Sequence, residues 1–81
     1  MGSSVRREVA IIALRAAKVG VSENQDGTVT LIKGNKIDVM VFEPELEKKI
    51  LFRFQYRYGV PIHWFYHPEM IPTDGSDTPV Q

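Results

Sequence analysis

The stretch "TVTLIKGNKIDVMVF", Thr28 to Phe42, constrains this chain more than any other. Two β-branched runs alternate with period two on either side of the turn-forming Lys33-Gly34-Asn35. Paired antiparallel, they make a hairpin with strands near 28–33 and 36–43. A second turn signal, Asn24-Gln25-Asp26-Gly27, precedes them, and a shorter strand over Val19 to Glu23 completes a three-stranded meander. Hydrophobic matching sets the expected register: Leu31 opposes Val39 and Val29 opposes Val41. That pairing needs a three-residue loop, Gly34-Asn35-Lys36, with Asn35 or a neighbour in left-handed geometry. It would gather Val29, Leu31, Ile37, Val39 and Val41 on one face and leave Met40 and Phe42 on the other. A two-residue Gly34-Asn35 turn would instead set Leu31 against Asp38, a poorer match.

Helical patterns flank the meander. "SSVRREVAIIALRAAKVG" has serines to cap it, good helix formers within it, Lys18 for its last turn and Gly20 to end it. Its stripe is Val5, Val9, Ile12, Ala13 and Ala16; Ile11 and Leu14 lie outside the stripe as surplus apolar residues. "EPELEKKILFRFQYRYG" predicts a second helix over 44–58, opened by Pro44 and stopped by Gly59 and Pro61. Leu46, Ile50, Leu51 and Phe54 form its core stripe, extended by Tyr58. "IHWFYH" then reads as a C-terminal strand. Its alternation turns Ile62, Trp64 and Tyr66 inward and His63, Phe65 and His67 outward.

The expected fold is therefore α+β: a small antiparallel sheet, a three-stranded meander plus a C-terminal strand, packed against two helices in the order α-β-β-β-α-β. The topology resembles that of the double-stranded-RNA-binding-like fold, in the order of its elements only. The catalytic histidine of toxins sharing that fold has no counterpart in "LIKGNKIDVMV". Residues 1–67 are expected to form one globular domain, and 68–81 a polar, acidic, disordered tail.

Composition excludes several functions. With 81 residues and no cysteine, the chain has one small core and neither disulfides, thiolate metal sites nor thiol nucleophiles. The apolar run Val9 to Leu14 is too short to cross a membrane, so a cytoplasmic protein is expected. Ten basic and ten acidic side chains cancel, but Glu69, Asp74 and Asp77 follow Pro68, leaving a mild positive bias before it. No glycine-rich phosphate loop is present, and no serine has a partner base in its vicinity. His63 and His67 on a strand would sit about 13 Å apart, too far to share an ion. No enzyme activity, metal or cofactor is expected.

Two binding readings remain. The first is a protein-interaction module, self-associating as a homodimer or binding a small protein partner. Its interface would be Met40, Phe42, His63, Phe65 and His67, because so short a chain has difficulty covering them all. The alternative is an RNA-binding domain that uses the ridge Lys49, Arg53 and Arg57 with the hairpin tip Lys33 and Lys36.

Overall fold

The computed structural model describes residues 4–72. The elements are β1 (Val5–Arg6), α1 (Arg7–Ala16), β2 (Gly20–Glu23), β3 (Thr28–Lys33), β4 (Lys36–Val41), β5 (Glu45–Leu46), α2 (Lys48–Tyr58), α3 (Ile62–Tyr66) and a 3-10 turn at Pro68–Met70. They form the expected α+β domain, with a three-stranded antiparallel sheet ordered β2-β3-β4 and a separate two-stranded ladder of β1 and β5. No helix among the described residues is long and apolar enough to cross a membrane.

The register of the hairpin differs from the hydrophobic match. Lys33 pairs with Lys36, Ile32 with Ile37, Leu31 with Asp38 and Val29 with Met40. The loop is thus the two-residue Gly34-Asn35, with Gly34 at φ 59 while Asn35 keeps a negative φ. Glycine at the first central position is the type II′ arrangement, whose twist suits the flanking strands. Turn chemistry wins over side-chain matching here because Asp38 is not stranded. It reaches the second helix, where Tyr58 Oη donates to its Oδ2 at 2.8 Å and Arg57 Nε lies 3.0 Å away.

The one-residue shift sorts the side chains anew. Val29, Leu31 and, past the end of β4, Phe42 face the helices and are buried, with Met40 half-buried beside them. Ile37, Val39 and Val41, expected in the core, lie on the opposite face.

α1 buries Ala10, Ile11, Ala13 and Leu14. The surplus residues Ile11 and Leu14 are therefore core, while Ile12 of the expected stripe is exposed. The helix ends before Gly20 can act. Lys18 takes the left-handed conformation at φ 69, its N–H donates to Arg15 and that of Val19 to Leu14. This is a Schellman closure with lysine in the usual glycine position.

α2 begins four residues after Pro44. Residues 45–46 pair instead with 5–6, the Arg7 amide donates to the Pro44 carbonyl at 3.0 Å, and Leu46 becomes fully buried. Leu51, Phe54 and Tyr58 fill the core, Ile50 is half-buried, and Gly59 at φ 72 ends the helix as its position predicts. The stretch after Pro61 is α3, not a strand. The Trp64 amide donates to Pro61 and that of His67 to His63, so the backbone satisfies itself without a neighbouring strand. Phe65 consequently turns inward, within 6.2 Å of the Phe54 ring centre, and Trp64 is half-buried. Past residue 67, Pro68–Met70 form a 3-10 turn and Ile71 is buried. The rest of the expected tail, 73–81, lies outside the described residues.

Candidate functional site

Every charged residue on the three meander strands points toward the helices. Glu23 accepts from Arg7 Nη2 at 2.8 Å, linking β2 to the start of α1. Lys33 Nζ donates to the carbonyls of Ala17 and Tyr58 at 2.9 and 3.1 Å, closing the C-terminal ends of α1 and α2 together. Lys36 Nζ donates to the Arg57 carbonyl in the last turn of α2. Cations suit such ends, where carbonyls are unpaired and the helix dipole is negative. Asp38 completes the set along the C-terminal half of α2, with Arg57 at 3.0 Å, Arg53 at 4.0 Å and the Tyr58 hydroxyl bonded to it.

The fold therefore brings together four of the five cations expected to grip RNA, Lys33, Lys36, Arg53 and Arg57. It also commits them within the chain. Lys49 stands apart, 3.9 Å from Glu47 and highly exposed.

Burial pushes the Tyr58 hydroxyl above its ordinary value of 10.0, and the bond to Asp38 adds to the shift. A group whose pKa rises on folding contributes stability that is complete below the unfolded value and disappears as pH climbs through the folded one. The protein should thus lose stability above about pH 10, and Tyr58→Phe should flatten that alkaline limb. At neutral pH the same substitution should cost about 1 kcal/mol for the lost hydrogen bond. Denaturant midpoints measured for both proteins across pH 7–11 check both effects.

The expected interface is not assembled. Phe42 and Phe65 are each only 2% exposed, and Met40 is half-buried against the core. Both rings sit in one aromatic cluster around Phe54, where burial of their full area outweighs anything a surface position offers. His63 and His67 remain exposed on and just after α3, with His67 Nδ1 3.5 Å from Glu69. Among the described residues no group of three His, Asp or Glu is placed to hold a metal ion.

The surface that stands out is the other face of the meander. The register places on it Gly20 and Ser22 of β2, Thr28, Thr30 and Ile32 of β3, and Ile37, Val39 and Val41 of β4. None carries a charge. Four are large and apolar, with Ile32 44%, Ile37 64%, Val39 60% and Val41 57% exposed. A one-sided sheet ordinarily turns polar residues to solvent and apolar ones to the core. Here the charges line the helix side and a β-branched stripe faces out. Sequence reasoning missed this because it followed side-chain matching; the Gly34-Asn35 dipeptide, read as a two-residue turn, carries the signal.

No family model matches the chain, and neither curated proteins nor solved structures give a match to it.

Proposed function

We propose that this domain is a small, non-catalytic interaction module of the cytoplasm that self-associates reversibly through the outer face of its meander. The observation that carries the reading is the uncharged stripe of Ile32, Ile37, Val39 and Val41. Contiguous exposed apolar side chains mark contact surfaces. The centre of such surfaces is depleted in charge. A second copy supplies the same neutral, β-branched surface, with no buried charge left unpaired on either side.

Size limits the affinity. Three strands about 4.8 Å apart, β3 and β4 of six residues and β2 of four, span at most roughly 15 by 20 Å. That footprint of about 300 Å² is well below the roughly 800 Å² per partner of a standard interface. A weak, concentration-dependent dimer follows, with dissociation in the high micromolar range.

Sedimentation across a concentration series tests this directly. The wild type should shift from monomer toward dimer between about 10 μM and 1 mM. Ile37→Lys, at the most exposed position of the stripe, should remain folded and weaken association at least tenfold. A wild type that stays monomeric to millimolar concentration overturns the reading. So does an Ile37→Lys protein with unchanged association whose binding to generic RNA falls steeply with salt, which would return the function to the cations.

A further inference from the structure

The two edges of the meander differ. The Asn24 amide donates to the Thr28 carbonyl at 2.8 Å, so Thr28 aims its backbone at the β2 side of β3. Alternation along an antiparallel ladder then directs Thr30 and Ile32 to β2, and Val29, Leu31 and Lys33 to β4. On β4 it follows that Lys36, Asp38 and Met40 bond back to β3. Ile37, Val39 and Val41 aim their N–H and C=O groups away from the sheet.

At the far edge, the outward carbonyl of Val21 accepts from Arg15 Nη2 of α1 at 3.0 Å. At β4, no backbone bond among the described residues joins Ile37, Val39 or Val41 to a further segment. Edges are usually blunted by lysine, proline or a bulge. β4 has none of these at its outward positions, and its six pairs with β3 run without a break.

We propose that two copies of this chain join edge to edge, β4 antiparallel to β4 about a two-fold axis at Val39, into one six-stranded sheet. This rests on the self-association reading but places the contact at the β4 border of the outer face, so that the two stripes meet along their edges instead of stacking. In this register Val39 faces Val39 of the other copy, and Ile37 faces Val41 at both ends. All three outward residues of each strand are used. On the helix side Asp38 faces Met40 and Lys36 faces Phe42, so no like charges meet. Centring the axis on Asp38 instead sets carboxylate against carboxylate. Centring it on Ile37 runs the partner strand past the Gly34-Asn35 turn and leaves Val41 unpaired. The axis is perpendicular to the sheet, so the two apolar stripes lie side by side on one face and cover each other's flanks. The neutrality of that face, and its match to itself in this one register, identify the occupant as a second copy.

Val39→Pro separates this arrangement from face-to-face stacking. The Val39 N–H points outward, so proline there removes no bond within the chain, as at natural edge strands. The variant should keep its circular dichroism and lose association at least tenfold. A folded Val39→Pro protein that dimerises as the wild type does overturns edge pairing and leaves self-association standing. A wild type that is monomeric at millimolar concentration overturns both.

Should Val39→Pro fail to fold, single cysteines decide, because the chain has none of its own. Hydrogen-bonded antiparallel neighbours stand about 5.5 Å apart at Cα, within disulfide range. Val39→Cys should therefore oxidise to a covalent dimer at least tenfold faster than Ile32→Cys, which lies one strand further in. Equal rates, or faster linkage of Ile32→Cys, overturn the edge.

Discussion

Phe54→Ala is expected to remove a large part of the domain's stability, about 3–5 kcal/mol. Phe54 is 1% exposed, and its ring centre lies 5.8 Å from Phe42 and 6.2 Å from both Tyr58 and Phe65. It joins β4's end, α2 and α3 in one cluster, so its removal leaves a cavity that three elements border. Truncating a buried phenylalanine costs about 3–5 kcal/mol. A domain of this size has a total stability of roughly 4–10 kcal/mol. Ile50→Ala, on the same helix but half-buried, should cost clearly less. Urea unfolding of the two variants checks the contrast, and equal midpoints would place Phe54 outside the core.

Phe65→Ala carries the next largest expected effect, about 3 kcal/mol. The α3 helix is five residues long and has too few backbone bonds to stand alone. Phe65 is its one fully inserted side chain, held against Phe54. Losing it should free α3 and destabilise the whole domain. Trp64→Ala, on a half-buried ring beside it, should cost less despite the larger side chain. Thermal denaturation of both variants decides, and the reverse order would require Trp64 to be the anchor. The two residues also separate helix from strand, since strict alternation with Trp64 inward would exchange their effects.

Much of the architecture is legible in the letters. The strands over 28–33 and near 36–41 follow from β-branched alternation, and α2 from its stripe and from Gly59. Three features escape for different physical reasons. "IHWFYH" is too short for periodicity to separate strand from helix, and only the self-satisfied bonds after Pro61 settle it. β1 and β5 are two residues each and sit inside segments that look helical, so their pairing is visible only in three dimensions. The hairpin register turns on whether Asp38 finds partners, and those come from α2, some twenty residues on. That last point governs the candidate surface. An error of one residue in pairing exchanges Val41 for Met40 opposite Val29 and Val39 for Asp38 opposite Leu31, and turns an expected core face into the exposed stripe.

The β1–β5 ladder has a consequence for the order in which the chain assembles. Val5 pairs with Leu46 across a loop of about forty residues, whereas β3 and β4 are joined by two. Closing the longer loop costs roughly 2–3 kcal/mol more chain entropy than closing the tight turn. The meander, built from segments adjacent in sequence, can form early; the N-terminal ladder must wait until α2 and the core have fixed its far end. In the native state the same asymmetry runs in reverse. Residues 4–6 are tied by two residue pairs, the Ser4 hydroxyl on Glu45 and the burial of Val5 alone. They can detach while the three-stranded sheet stays whole. This end of the molecule is expected to open first and close last, which hydrogen exchange of the Val5 and Arg6 amides against those of β3 checks.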